Sequence, residues 1–195
     1  MNNGLYIKDI ILSSPITEKT YLTQIPVVQS LMKQKIELKK PVTIFVGENG
    51  TGKSTLIEAI ATAFGFNPEA GTRNFLFSST NTHSNLYQHI TLSKKAFPTD
   101  GFFLRAESFY NMAGYIDEVK ATHNYGGVSL HNQFHGASFF ALIQNRFCGN
   151  GLYILDEPES ALSPMRLLTL IAEINRLVKN NSQFIIATHS PILLT

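Results

Sequence analysis

The segment that most constrains this chain is G-E-N-G-T-G-K-S at residues 47–54. It completes the pattern G-x-x-x-x-G-K-[ST], whose glycines let successive backbone N–H groups turn toward a phosphate chain. Residues 42–46 are typical of a short buried strand, and residues 54–64 predict a helix with an apolar stripe at Leu56, Ile57, Ile60 and Phe64. A strand, a glycine loop and a helix in this order place phosphate at a helix N-terminus, so a chance glycine-rich turn is the weaker interpretation.

Two side chains of this segment predict specific contacts with a nucleotide. Lys53 can reach β- and γ-phosphates, and the Ser54 hydroxyl can ligate Mg²⁺. The predicted phosphate-binding residues are Gly47, Glu48, Asn49, Gly50, Thr51, Gly52, Lys53, Ser54 and Thr55.

Composition limits the class of protein. A chain of 195 residues with 44% hydrophobic residues predicts one domain, residues 1–195, with a real core. Only 15% of the residues are charged, which favours a surface covered in part by a partner. The net charge of +2 neither predicts nor excludes nucleic acid, and the lysines at 33, 35, 39, 40, 94 and 95 are interpreted as solvated faces.

The single cysteine and the hydropathy pattern predict a cytoplasmic protein. One cysteine excludes an intramolecular disulfide, and Cys148 follows an apolar helical run, which predicts an inert buried thiol. The chain contains neither a signal-peptide pattern nor an apolar run approaching the roughly 18 residues of a membrane span. We therefore expect no membrane association.

Strand and helix patterns alternate along the chain, which predicts an α/β fold with a largely parallel central sheet flanked by helices. Strands are expected at residues 5–12, 35–45, 101–106, 151–155 and 184–187, and helices at 54–64, 108–119, 136–147 and 164–178. Residues 13–32 predict a loop and short-helix insertion, and residues 67–85 and 121–130 predict irregular segments. Because the last strand is followed so soon by Thr195, we expect further C-terminal elements of the sheet to lie beyond the chain.

Two strand ends predict the rest of the site. Asp156 and Glu157 follow the apolar run at 152–155, where Asp156 can hold the Mg²⁺ shell and Glu157 can orient or deprotonate a water. His189 follows the strand at 184–187 and can contact a γ-phosphate, since such sheets gather strand ends at one ligand crevice. A hydrogen-bonded core histidine is the alternative for His189.

Taken together, three segments resemble motifs of ABC-class ATPases. G-E-N-G-T-G-K-S-T (47–55), L-Y-I-L-D-E-P-E-S-A-L-S (152–163) and A-T-H-S-P (187–191) are similar to the Walker A motif, the Walker B motif with D-loop, and the switch histidine. Within that class the chain resembles stand-alone AAA-family ATPases related to RecF and SMC-like heads. The resemblance implies a P-loop NTPase fold of ABC-ATPase type with an N-terminal antiparallel β lobe. It also implies ATP and Mg²⁺ as ligands and a head-to-tail homodimer with residues 160–162 at its interface.

The chain departs from this family pattern at two places. The candidate signature is at residues 133–138, where His135, Gly136 and Ser138 are candidate contacts to the nucleotide of the opposite subunit. Family members carry Ser at the position of Phe134, and Gln or Glu at that of Ala137, which puts this contact and fast hydrolysis in question. Ala106 stands where SMC-like relatives carry a Mg²⁺-contacting Gln, so Arg105 and Glu107 are the candidate substitutes.

Other site chemistries have less support. His131 and His135 are four residues apart but lack the Glu of H-E-x-x-H, so a zinc site is disfavoured. Tyr6 and Tyr21 are candidates for an adenine platform, although packing is the favoured role of both. ATP and GTP are not distinguished.

Three functions follow from the resemblance. The first is an ATPase that drives or gates a protein effector, in DNA-linked processes or in bacterial anti-phage defence. The second is an ATP sensor with little turnover that controls a nuclease or toxin. The third, a transporter cassette, ranks far behind because too few residues separate Glu107 from Phe134 to hold the helical subdomain that contacts membrane helices.

Overall fold

The computed structural model describes residues 4–16, 20–68, 70–72, 84–109, 114 and 135–194. In these residues it contains seven strands: β1 (Ile7–Leu12), β2 (Ile36–Glu37), β3 (Val42–Val46), β4 (Ile90–Lys94), β5 (Asp100–Arg105), β6 (Gly151–Asp156) and β7 (Gln183–Thr188). The α-helices are α1 (Pro26–Lys33), α2 (Lys53–Phe64), α3 (Leu86–His89), α4 (His135–Arg146) and α5 (Pro164–Lys179). Short 3-10 helices lie at Tyr21–Gln24, Pro158–Ser160 and Pro191–Leu194.

The main sheet is parallel throughout and has the strand order β3-β7-β6-β5. Every residue of β6 and β7 is buried, as expected of central strands covered by helices on both faces. All four strands run in one direction, so the phosphate loop after β3 and the residues after β5, β6 and β7 meet at one edge. The predicted parallel α/β architecture is therefore confirmed.

The second sheet is antiparallel, with the order β2-β1-β4, and forms the predicted N-terminal β lobe. Strand β4 has no counterpart among the predicted elements, because its pairing with β1 joins residues some 80 positions apart in the chain. The prediction of one continuous strand at 35–45 is wrong. Pro41 lacks a backbone N–H, and the chain breaks there into β2 of one sheet and β3 of the other.

Side chains alternate between two cores on opposite faces of the parallel sheet. On β6, Tyr153 and Leu155 pack with α4 and α5, whereas Leu152 and Ile154 pack with α2 and the antiparallel lobe. The predicted apolar stripe of α2 lies wholly in the second core. Burial of each such large side chain stabilises the fold by about 1.5–3 kcal/mol, so the two cores hold α2 firmly against the sheet edge.

The remaining expectations differ in outcome. The insertion at 13–32 contains the 3-10 helix Tyr21–Gln24 and most of α1, as predicted, and α5 begins at Pro164. The helix expected at 136–147 is α4, displaced by one residue at each end. The helix at 108–119 and the loop at 121–130 lie outside the described residues, apart from Ser108, Phe109 and Gly114, as does most of 67–85.

Candidate functional site

The phosphate loop connects β3 to the N-terminus of α2. Gly50 and Gly52 have φ of +83° and +92°, a left-handed backbone conformation that residues with a side chain rarely adopt. Lys53 is almost buried, and its Nζ donates hydrogen bonds to the carbonyl oxygens of Gly47 (2.7 Å) and Glu48 (2.9 Å). These bonds hold the ammonium group across the loop, next to the backbone N–H groups that open α2.

The insertion packs directly against this loop. A Cβ added to Gly52 would lie 2.1 Å from Ile25 Cγ2 and 2.8 Å from Val27 Cγ1, so only glycine fits there. The backbone N–H of Val27 also donates to Thr51 O at 3.3 Å. Ile25 therefore forms a wall of an open cleft of about 220 Å³ that also contains Asn49, Gly50, Gly52, Lys53, Ser54, Thr55 and Glu157. The sequence pattern of the insertion did not indicate this contact.

Asp156 ends β6 beside the phosphate loop, where Ser54 Oγ donates a hydrogen bond to its Oδ1 at 3.0 Å. Its side chain is only 3% exposed. Burial raises the pKa of Asp156 to about 6, and the charges of Glu157 and Glu58 add to this, although Arg105 and the Ser54 hydrogen bond oppose it. The positive charge near the ionised carboxylate therefore does not offset the effect of its burial. Its hydrogen-bond partner, the Ser54 hydroxyl, is itself an oxygen that can ligate a metal ion.

Glu157 has a strained backbone, with φ 49° and ψ 52°. A left-handed conformation at a residue other than glycine costs on the order of 1–3 kcal/mol and persists where surrounding contacts impose it. Here the N–H of Glu157 donates to Ala187 O of β7 at 2.9 Å. Glu157 borders both the phosphate-loop cleft and a second cleft of about 370 Å³, whose lining is Ser54, Arg105, Ala106, Glu107, Asp156, Glu157 and Ser160.

Arg105 lies in this second cleft and joins three acidic groups. Its Nη1 donates to Glu58 Oε2 at 2.9 Å, its Nε lies 3.4 Å from Asp156 Oδ2, and its Nη2 lies 3.6 Å from Glu107 Oε2. Among the described residues the buried Nε has no hydrogen-bond partner. Glu107 is 84% exposed at the rim. Of the two candidates beside Ala106, Arg105 is the one in contact with Asp156.

Sequence reasoning missed Glu58 of α2. Its carboxylate is buried and accepts both Arg105 Nη1 and the backbone N–H of Ser84 (3.0 Å). The available signal was an acidic residue in an otherwise apolar stretch of α2. Glu58 therefore ties the helix that follows the phosphate loop to the end of β5.

His189 follows β7 with its side chain 49% exposed, so it is not a core histidine. Its Nδ1 lies 3.1 Å from Glu159 Oε1 and 3.9 Å from Glu157 Oε1. Glu159, which sequence reasoning also missed, is nearly buried (8% exposed). The structure brings His189 to the same end of the sheet as Asp156 and Glu157.

The candidate signature residues lie at the start of α4. The helix begins at His135, and the Ser138 side chain is 1% exposed, so Ser138 faces the protein interior. Phe134 and His131, the other histidine of the disfavoured zinc pair, lie outside the described residues. In the described part of the chain, no group of three or more His, Cys, Asp or Glu side chains could hold a metal ion.

Tyr6, Tyr21 and Cys148, for which packing roles were expected, differ in their exposure. Tyr6 is buried, with its hydroxyl bonded to Asn181 O at 2.8 Å, whereas Tyr21 is 60% exposed. Cys148 is exposed, which corrects the expectation of a buried thiol: α4 ends before it, and its N–H bonds Asp100. None of the helices in the described ranges is long and apolar enough to cross a membrane.

The lysines of the N-terminal lobe are partly paired. Lys35 Nζ lies 2.9 Å from Asp9 and 3.1 Å from Glu37, and Lys39 also pairs with Glu37. Lys94 lies over the ring of Phe64, 4.7 Å from its centroid. Acidic partners on the same lobe reduce the positive charge that a nucleic acid would meet.

The parallel sheet, with its glycine loop between β3 and α2, has the fold of a P-loop NTPase. Residues 28–121 match the family model described as an AAA domain, and residues 137–195 match a model described as "AAA domain, putative AbiEii toxin, Type IV TA system". Among solved structures, an SMC head domain from Thermotoga maritima aligns with a TM-score of 0.48 and 17% identity, over 97% of this chain and 91% of that one. No curated protein matches the sequence.

Proposed function

We propose that this chain binds ATP with Mg²⁺ and hydrolyses it as an ABC-type P-loop ATPase. The observation that carries the proposal is the 3.0 Å hydrogen bond between Ser54 and Asp156, which are 102 positions apart in the chain. A phosphate-loop hydroxyl and a strand-end carboxylate in contact are the two protein ligands that a nucleotide-bound Mg²⁺ needs. The matches to two AAA-domain models support the same conclusion.

The donor set fits Mg²⁺. Both groups supply oxygen, which this hard cation prefers, and few protein ligands leave room for phosphate oxygens and water. A cation would also compensate the buried charge of Asp156, whose pKa is raised by burial. When bound, Mg²⁺ would neutralise charge that develops on the β- and γ-phosphates.

The remaining residues have distinct roles in hydrolysis. Lys53 and the loop N–H groups would hold the phosphate chain. Glu157, between the two clefts, would accept a proton from a water whose oxygen attacks the γ-phosphorus. The bond from that phosphorus to the β–γ bridging oxygen breaks, and ADP and phosphate leave. His189 would lie beside the γ-phosphate.

The active form in this proposal is a head-to-tail homodimer. Ser160 is exposed and lines the larger cleft beside Glu157, where a second subunit would approach. The opposite subunit would contribute the N-terminus of α4, at His135 and Gly136, through backbone N–H groups. ATP binding would join the heads and hydrolysis would separate them.

We further propose that this cycle gates a protein effector in the cytoplasm, in an anti-phage or DNA-linked process. The description of the model matched by residues 137–195, a putative toxin of a toxin–antitoxin system, supports an effector context. Co-purification of a nuclease or toxin whose activity depends on ATP would support this role, whereas an effector indifferent to Lys53→Ala would contradict it.

The decisive experiment measures ATP turnover per subunit over a range of protein concentrations. A composite dimer site predicts a rate that rises with concentration and is lost in Glu157→Gln. ATP affinity, measured separately, should fall in Lys53→Ala. Wild-type affinity in that variant would refute nucleotide binding by the phosphate loop.

The alternative function is an ATP sensor with little turnover. Phe134 and Ala137, which replace the polar signature residues of the resembled family, favour it because they remove a contact to the opposite nucleotide. Tight ATP binding without turnover at any protein concentration would select the sensor. Turnover on the order of 1 s⁻¹ from the isolated protein would reject it.

A further inference from the structure

One buried carboxylate oxygen organises the segment around His189. Glu159 Oε1 accepts hydrogen bonds from Thr188 Oγ1 and from the backbone N–H of His189, each at 2.7 Å, and lies 3.1 Å from His189 Nδ1. Thr188 Oγ1 in turn accepts the N–H of Ser190 at 2.9 Å. Glu159 follows β6 and His189 follows β7, so this oxygen ties together the two strand ends that border the site.

The chemistry of the contact determines the state of the imidazole. An ionised carboxylate oxygen only accepts hydrogen bonds, so Nδ1 must carry the hydrogen for the 3.1 Å contact to be favourable. In a neutral ring Nε2 then carries no hydrogen and can only accept one, so it can face a water molecule but not an anionic phosphate oxygen. A carboxylate that orients a histidine through Nδ1 is a common device for presenting Nε2 to reacting groups.

Burial makes Glu159 suited to this task. Its side chain is 8% exposed, and its Oε2 has no hydrogen-bond partner among the described residues. Among the described residues, the hydrogen bonds to this carboxylate come from the Thr188–His189 segment and end at Oε1. A buried charge whose hydrogen bonds all come from one neighbouring segment holds that segment in a single arrangement.

We propose that Glu159 is a positioning residue: it holds His189 as the Nδ1–H tautomer and thereby presents Nε2 as the acceptor for a hydrogen of the water that attacks the γ-phosphate of the bound nucleotide. The effect of Glu159 on turnover rests on the proposed function, whereas the tautomer of the His189 ring does not. The two parts can therefore be tested separately.

The state of the ring is tested by ¹⁵N NMR of the histidine side chains at pH 8, with the His189 signals assigned from their loss in His189→Ala. We expect the Nδ1–H tautomer in the wild type and in Glu159→Gln, whose amide oxygen can accept the same hydrogens. We expect the Nε2–H tautomer to predominate in Glu159→Ala. An Nε2–H tautomer in the wild type, or a glutamine variant that behaves like the alanine variant, would overturn the proposal.

The functional link is tested by a double-mutant cycle on ATP turnover. Glu159→Ala should lower kcat at least about tenfold in the wild-type background and less than about twofold in the His189→Ala background. Equal losses in both backgrounds would show that Glu159 does not act through His189. Glu173→Ala, which removes a carboxylate paired with Arg176 on α5, is the matched control and should leave both readouts unchanged. A wild type without turnover would count against the proposed hydrolysis, and the tautomer would still decide the role of Glu159.

Discussion

The two ends of strands β5 and β6 each carry an aspartate beside an arginine, and the two pairs are built differently. Where the strands start, Asp100 lies 2.7 Å from Arg146 and accepts the Tyr153 hydroxyl at 2.6 Å and a backbone N–H at 3.1 Å. Where they end, Asp156 lies 3.4 Å from Arg105, whose Nε makes no hydrogen bond with the described residues. The first pair is saturated with hydrogen bonds and the second is not.

The pKa values follow this difference. Burial alone would raise the pKa of Asp100, but the hydrogen bonds from Tyr153 and the Cys148 N–H, with the charge of Arg146, hold it below its ordinary value. At the other end, burial prevails and the pKa of Asp156 rises to about 6. At the start of the strands, hydrogen bonds and Arg146 compensate the charge of the buried carboxylate, whereas at their end the charge of Asp156 is compensated only in part.

The largest difference between the two ends should appear in ATP turnover when one acid at each end is changed to its amide. Glu157→Gln should lower ATP turnover by about 100-fold or more, because it removes the general base proposed for hydrolysis, while ATP affinity is retained. Asp100→Asn, the same chemical change at the opposite end, should leave kcat within about twofold. Similar losses in steady-state turnover for both variants would abolish the distinction between the two ends.

Removal of Asp100 should have the larger effect on stability. Asp100→Ala removes the carboxylate that accepts the Tyr153 hydroxyl and pairs with Arg146, which we expect to lower the free energy of unfolding by about 2–3 kcal/mol. Urea unfolding followed by circular dichroism measures this. A loss below roughly 0.5 kcal/mol would mean that the network is not stabilising.

Asp156→Asn should have the opposite effect and raise the free energy of unfolding. Because the pKa of Asp156 is about 6 when folded and the ordinary value is 3.8, the folded state holds a proton that the unfolded chain has lost between these values. This contribution to stability is present below about pH 4 and is lost as the pH rises toward 6. Without Mg²⁺, the advantage of Asp156→Asn over the wild type should therefore grow across that window, by on the order of 2 kcal/mol.

Urea unfolding at a series of pH values from 4 to 8 would record this difference. An Asn variant that loses stability relative to the wild type as the pH rises would show that Arg105 and Ser54 already compensate the charge. Addition of Mg²⁺ and ATP should stabilise the wild type and leave Asp156→Asn nearly unchanged.

The smallest effect is expected from Cys148→Ala, at the start of the strands. Its thiol is exposed, and the contact to Asp100 uses the backbone N–H, which the substitution keeps. The free energy of unfolding should change by less than about 0.5 kcal/mol. A larger loss in the same urea assay would show that the side chain, and not only the backbone, supports Asp100.

How much the sequence predicted depends on the range of the interaction. The buried strands, α2 and α5 were predicted because their patterns are local, and Asp156 was expected beside the phosphate loop because parallel strands end at one edge. Strand β4 and the division of β2 from β3 were not, since they depend on pairing with β1 and β7 far away in the chain. The placement of Cys148 depended on the contact of its backbone N–H with Asp100, 48 positions away in the chain.

The phosphate loop, the order of the α/β elements and the acids at the strand ends can be predicted from the sequence, because each is encoded by neighbouring residues. The contacts of Arg105 with Glu58 and Asp156, and of Glu159 with His189, are visible only in the folded molecule. These contacts join the ends of elements that are distant in sequence. Their charges acquire a partner, or fail to, only when the sheet brings those ends together.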